Sequence, residues 1–522
     1  MKRKTDNHRG KGRAGLWRWL ALAALWLLAP LGAAPVAFAD DAPAAGTPPA
    51  PFCFTAESDN AVVGLEAVAG HNSTGGKVPE VALEISTDGK TWREWKAPRR
   101  VELPHKGDKV CMRAISTNAG FADPDSHGAA YNRFVITGQA AASGSVMWLL
   151  DHDGRLASLA GLPFAFKGLF YECAGLTAAP ELPATLLSPH CYSSMFLGCT
   201  GLQAAPRLPA TVLANGCYRG MFQKCAGLAA APELPAMVLA DNCYSAMFAG
   251  CTGLTAAPRL PATELTPNCY AGTFFGCANL AAAPELPATT LTEGCYHAMF
   301  AGCASLIAAP ELPATSLAYC CYFGMFSQCT GLQAAPRLPA TELVYGCYEW
   351  MFVGCVKLAA APELPATVLA DGCYAGMFGL CGALAAAPKL PATTLADFCY
   401  SEMFAGCTGL QTAPELPAMV LTDNCYSAMF AGCTGLTTAP ELPATALANY
   451  CYLRMFADCT GLTAAPRLPA TKLAVGCYGA MFKGCAGLIE APELPATELA
   501  KDCYAEMFAD CPKLKNDPTK KK

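Results

Sequence analysis

The sequence predicts an α/β repeat solenoid of 26-residue units, each pairing a short extended segment with a short helix, preceded by a small all-β sandwich-like domain. Three observations carry this. A period runs without a slip from Ala165, an apolar stripe recurs inside each unit, and short β-prone runs fill the chain before residue 150. A fixed period of this length marks a stack of like units, each burying its apolar face against the next.

The period is the firmest element. Cys-Tyr recurs at 26-residue steps from Cys191 to Cys503, giving thirteen copies, and a variant opening at Ala165-Phe166 makes fourteen. Within a unit, Cys191, Met195, Cys199 and Leu202 stand at i, i+4, i+8 and i+11, one stripe of a helix, with Phe196 beside it. The Ala-Pro that follows cannot continue a helix, so two to three turns are predicted. The remainder, as in Ala205-Pro206-Arg207-Leu208-Pro209, is predicted extended. Two prolines per unit remove two ladder donors, which predicts a thin parallel sheet of very short strands. Helices need about 8 to 10 Å between axes and strands about 4.8 Å, so the array is expected to curve with its strand side concave.

One column reports register. The residue between Pro and Leu runs from Glu181, Arg207, Glu233 and Arg259 to Arg467 and Glu493, with ten of twelve neighbours opposite in sign. Opposite charges at strand spacing attract modestly and like charges repel, so the alternation predicts lateral stacking.

Before the repeats, residues 1–39 read as a signal peptide: a basic start, an apolar run from Trp19 to Ala29, and Ala37-Phe38-Ala39 as a cleavage pattern before Asp40. The run is too short to span a membrane. The expected mature chain is secreted, periplasmic or at the cell surface. Residues 40–51 form an Ala/Pro-rich linker. Residues 52–150 contain the β-prone runs Phe52–Thr55, Val81–Ile85, Lys109–Met112 and Arg133–Ile136, with Asp88-Gly89 as a hairpin signal. Residues 151–164 connect this region to the repeats at 165–514, and 515–522 form a basic tail.

Loss of residues 1–39, with seven Lys/Arg and one acid, takes the formal charge from −5 to −11. Phosphate backbones and anionic lipid heads bind clustered cations, so nucleic acid is not an expected partner.

Of thirty cysteines, Cys53 and Cys111 alone fall in the β region and, in an exported chain, are expected to pair. The repeats hold two cysteine columns eight residues apart with no histidine column, which is not zinc spacing. Both buried free thiols and a repeated disulfide ladder fit the pattern. A bond within one unit, such as Cys217 with Cys225, would have to cross about 12 Å of helix and needs that helix broken. Cys320 is expected to be free or intermolecular.

The core Met247-Phe248-Ala249-Gly250-Cys251-Thr252-Gly253-Leu254, followed by an extended segment, resembles the BspA-like leucine-rich-repeat surface proteins of host-associated bacteria. The resemblance covers roughly 165–514. It implies a signal peptide, a small N-terminal β domain and a role in adhesion or interaction. The chain departs from the common leucine-rich unit by lacking its Asn ladder and by its Pro-x-Leu-Pro-Ala-Thr segment.

Chemistry is sparse. His71, His105, His127, His152, His190 and His297 fall in loops or variable columns with no nucleophile at a supporting distance along the chain. Gly89-Lys90-Thr91 lacks the earlier glycine of a phosphate loop, and Asp151-His152-Asp153-Gly154 is half of a calcium loop. Leu-Pro-Ala-Thr, as at 260–263, is never followed by the glycine of a sortase signal. No catalytic, cofactor or metal residues are assigned, and no cofactor is expected. Function is sought in the variable columns, where Tyr319 and Tyr345 stand 26 apart with Phe323, Trp350 and His297 nearby. Such a cluster suits a recognition patch, because Tyr and Trp dominate interface hot spots. The expectation is an exported, non-enzymatic protein that binds a protein or glycan. Its rivals are a secreted enzyme with its chemistry in the β domain, which needs clustered acids or a Cys/His pair there, and a passive spacer.

Overall fold

The computed structural model describes residues 49–69 and 76–521. The signal segment 1–39, linker residues 40–48 and His71 lie outside the described residues.

Alternating apolar and polar residues build strands β1 (Phe52–Ala56), β2 (Ala61–Val68), β3 (Leu83–Ser86), β4 (Arg93–Glu94), β5 (Arg100–Leu103), β6 (Lys109–Ala114), β7 (Tyr131–Thr137) and β8 (Ala140–Ser143). The turn between β3 and β4 is held by Asp88, whose carboxylate accepts the amides of Lys90 and Thr91 at 2.8 and 2.7 Å, while Gly89 supplies the positive φ. The strands form two sheets, β5-β2-β7 and β4-β3-β6-β1-β8. Phe52 and Phe54 of β1 meet Phe134 of β7 at 5.7 and 5.1 Å between ring centroids. Cys53 and Cys111, opposite one another on β1 and β6, are joined by a disulfide.

This core does not stop where the sequence pattern changes. A ninth strand, β9 (Leu176–Ala178), comes from the first repeat and lies parallel to β8, extending the larger sheet. Phe170, also of that repeat, packs 5.6 Å from Phe134. The amides of Phe121 and Phe134 donate to the carbonyls of Ala165 and Leu169, each at 2.7 Å. Arg133 Nη1 reaches Tyr171 O at 3.2 Å. The connector joins in, with parallel bridges from Ser145 to Glu181 and from Ser158 to Leu186. The two sheets therefore seal the carbonyl side of the first repeat.

The Cys-Tyr segment contains no α-helix, which corrects the predicted fold; among the described residues the only helices are two 3₁₀ turns, at Val146–Leu149 and Pro518–Lys521. Each segment is instead three four-residue turns. Every fourth residue has positive φ, as at His190 (55°), Ser194 (54°) and Gly198 (76°), and this recurs in every repeat. Amides alternate in their partners. Cys191, Ser193 and Met195 donate three residues back, to Ser188, His190 and Tyr192, whereas His190, Tyr192, Ser194 and Phe196 donate to the next repeat, to Asn215, Cys217, Arg219 and Met221. An α-helix keeps its bonds within the segment; here half of them leave it, and each segment is stitched to its neighbour along its whole length. A stripe spaced by four is common to both conformations, which is why the sequence pattern reads as helical.

Stacking is correspondingly close. The Tyr column runs at 5.6 to 6.1 Å between centroids and the Phe column at 5.3 to 5.7 Å, with near-parallel planes. That is well below helix spacing, so the mismatch behind the expected curvature is absent. On the proline-bearing side, single parallel bridges such as Ala204↔Ala230 and Val212↔Val238 recur at 26-residue offsets, the sparse ladder that two prolines per unit allow. Cys191, Tyr192, Met195, Phe196, Cys199 and Leu202 are all buried. The charged column from Glu181 to Glu493 lies on the surface, but none of the ion pairs within 4 Å among the described residues joins two of its members.

The cysteines resolve into free thiols with a structural task. All 28 in the repeats are unbonded and all but Cys320 and Cys511 are buried. In the Gly-Cys column the thiol donates to the Phe carbonyl of the preceding repeat, as from Cys199 to Phe170, Cys225 to Phe196 and Cys329 to Phe300, each at 3.0 Å. Burial pushes these thiols far above their ordinary range, to about 12 for Cys225 and Cys329. They stay protonated, as donors.

Candidate functional site

In each four-residue turn the first two side chains after the positive-φ corner are buried, as with Cys321 and Tyr322, and the next two carry the variable residues. The outer surface of the repeats between Glu293 and Gly376 therefore displays two neighbouring ridges, four residues apart along the chain.

The first ridge holds Tyr319 and Tyr345. Their rings stack at 5.0 Å and 6° and are 51% and 48% exposed, an open aromatic face held by two repeats at once. The second ridge holds His297 on Phe323, stacked at 4.8 Å and 3°, followed by Glu349 and Trp350. These residues are half-buried. Burial lowers the pKa of His297, so its ring is neutral near pH 7 and stacks without a charge.

Trp350 does not stand free of the repeat. It occupies a positive-φ corner (φ 56°) and its ring lies over Gly376 of the next repeat, where an added Cβ would come within 2.3 Å of it. Its indole Nε1 donates to Glu349 Oε1 at 3.0 Å. Burial raises the Glu349 carboxyl above its usual range, against the opposing effect of the indole bond. The other carboxylate oxygen points over Gly346, where the Cys320 sulfur also sits, and these two groups join the ridges. The Cys320 thiol is free, half-buried and raised in pKa, by burial first and then by Glu349. The structure thus brings Tyr319, Tyr345 and Trp350 into one neighbourhood around Cys320 and Glu349, with His297 and Phe323 continuing the second ridge.

Glu349 was not singled out from sequence, nor was the acidic continuation of the Tyr ridge. Asp371, Asp397 and Asp423 follow Tyr345 at 26-residue steps, and the carboxylates of all three accept the next repeat's amide, from Asp397, Asp423 and Asn449 at 3.1, 3.0 and 2.9 Å. Reading the Tyr319 column onward would have found them. Among the described residues no group of three His, Cys, Asp or Glu side chains converges to hold a metal ion, and no helix is long and apolar enough to cross a membrane.

The molecule at this point is defined as a cysteine-rich repeat protein whose variable residues gather on its outer ridges. Compared with models of known families, with characterised proteins and with solved structures, the chain matches none.

Proposed function

We propose that the chain is an exported or surface-associated solenoid that binds a protein or glycan partner through the aromatic ridges between His297 and Trp350, and that it is not an enzyme. The observation that carries this is the Tyr319–Tyr345 stack: two large rings with half their area in solvent, fixed by neighbouring backbones. Such a pair offers flat apolar area with little side-chain entropy left to lose, which is what an interface anchor requires. The sequence resemblance to BspA-like surface proteins, from which the chain departs by lacking their Asn ladder, agrees with an adhesive role.

The test is an array of immobilised glycans and extracellular host proteins probed with the chain, followed by Tyr319→Asn with Tyr345→Asn on any partner found. Asn215 and Asn449 already occupy this column, so the fold tolerates the change. Binding should weaken by more than about tenfold with an unchanged melt. Equal affinity in the double variant would remove the ridges from recognition.

A further inference from the structure

A second surface feature lies two repeats before the aromatic ridges. A cleft of about 600 Å³ opens where a turn of the sheet layer meets the first repeats. His127 enters from that turn; Lys167, His190 and Arg219 come from three successive repeats. Among the described residues no carboxylate lines it, and none of the four basic side chains pairs with one within 4 Å. On a chain of net charge −5 this is a local concentration of basic groups.

Lys167 and His190 are held in place. The Lys167 ammonium donates to the carbonyl of His127 at 2.8 Å and lies 5.5 Å from the centroid of the Phe164 ring. The His190 imidazole is sandwiched, stacked on Phe164 at 5.0 Å and 9° and covering Gly216, whose absent side chain leaves the room. Lys167 and Arg219 belong to one column with Ser193 between them, and Ser193 Oγ donates to Arg219 O at 3.2 Å. A short side chain between two long cationic ones leaves a notch flanked by positive charge. Hydroxyls and an amide from Ser194, Ser245 and Gln223 complete the lining.

The electrostatics describe a site lacking its counter-charge. The Lys167 pKa is lowered by burial and then by Arg219; that of His190 is lowered by burial and then by Lys167, Arg219 and His127. The charges acting on the two include the cations Arg219 and Lys167 and no carboxylate. Positive groups held together at a cost to their own protonation are what an anionic ligand relieves.

We infer that this cleft binds an acidic sugar residue of a glycan, its carboxylate or sulfate between Lys167 and Arg219 and its hydroxyls against Ser194, Gln223 and Ser245. The volume exceeds what a lone oxyanion needs and falls in the range of small-ligand sites. The neutral hydrogen-bonding groups beside the cations match a hydroxyl-rich ring carrying one acid. The site does not depend on the aromatic ridges, and either can fail without the other.

Titration calorimetry of the chain spanning residues 40–522 tests this with three probes: a heparin-derived tetrasaccharide, sodium sulfate, and neutral cellotetraose. The acidic tetrasaccharide should bind and weaken with added salt. Arg219→Ser and Lys167→Ser should each weaken it by at least tenfold with an unchanged melt, since serine fills the neighbouring places of that column, and Arg219→Lys should retain part of the affinity. Arg337→Ser, on the proline-bearing side, should change nothing. The inference is overturned if cellotetraose or sulfate alone binds as tightly as the tetrasaccharide, if Arg219→Ser and Lys167→Ser leave the affinity intact, or if Arg337→Ser lowers it equally.

Discussion

Alkaline pH should dismantle the repeats at a value where most folded proteins are untroubled. A buried thiol of this array ionises at about 12, against 9.0 for an ordinary one. Because the folded value is raised, the stabilisation is fully present below about pH 9 and is lost as pH rises from there toward 12. At pH 10 the unfolded chain has released the proton and the folded one has not, a cost of about 1.4 kcal/mol per thiol. Two such thiols occupy each of the twelve repeats from Cys191 to Cys485, so each of these repeats loses about 3 kcal/mol. Twenty-five buried thiols, Cys173 and the pairs from Cys191 and Cys199 to Cys477 and Cys485, sum to about 35 kcal/mol, beyond the 5 to 15 that hold a typical domain together. The Tyr column acts in the same sense at higher pH, its hydroxyls raised by burial. Urea midpoints by circular dichroism, with reductant present, should fall steeply between pH 8.5 and 10, and a thiol-reactive dye should label the columns in step with the loss of signal. Midpoints that stay constant through pH 10 would refute buried, protonated thiols.

Gly324→Ala and Gly376→Ala both place a side chain at positive φ, at a cost of about 1 kcal/mol, but only the second would strike the Trp350 ring; it should cost about 2 kcal/mol more by urea melt and shift tryptophan emission. Thr273 is fully buried in a column that is otherwise Met from Met195 to Met507, and its hydroxyl donates to the carbonyls of Tyr244 and Tyr270, which keep backbone donors without it. Thr273→Met should raise stability by about 1 kcal/mol, read as a higher melting temperature, and a lower one would contradict the packing described. Truncation after Leu343 should leave the remaining repeats folded with an unchanged circular dichroism shape, because each contacts only its neighbours, whereas removal of half a unit should aggregate.

The sequence made the period, the buried columns and the aromatic cluster legible, because each is a statement about residue type at a fixed step. It misled on the Cys-Tyr segment because apolar residues four apart satisfy a helix and a four-residue turn alike. The discriminating sign is at the corners: glycine at 216, 294, 346, 372 and 476 and asparagine at 242, 268 and 424 share one column, and both residues accept positive φ. The pairing of β8 with β9 was hidden, since Leu176-Thr177-Ala178 carries no mark that distinguishes it from its equivalents. Lys167, Ser193, Arg219 and Ser245 could have been read as one column, but His127 reaches the same cleft from a turn of the sheet layer, and no spacing announces that.

The alternating hydrogen bonds give the array a direction. Along the Cys-Tyr segments, every amide that leaves a repeat points toward the next repeat in sequence and every carbonyl that receives one points back, whereas on the proline-bearing side amides such as those of Gln203, Ala229 and Gln333 donate to the preceding repeat. Peptide dipoles aligned in this way add, as they do along a helix, with the amide side positive. The two faces of each Cys-Tyr segment are therefore chemically unlike, one a row of donors and the other a row of acceptors. The sheet layer fits the acceptor row because it offers the amides of Phe121 and Phe134 and the guanidinium of Arg133. Grafted onto the opposite face, the same layer would set donors against donors along the Cys-Tyr segment. Caps for the two faces of this repeat are not interchangeable, and repeats can be exchanged between such arrays only head to tail.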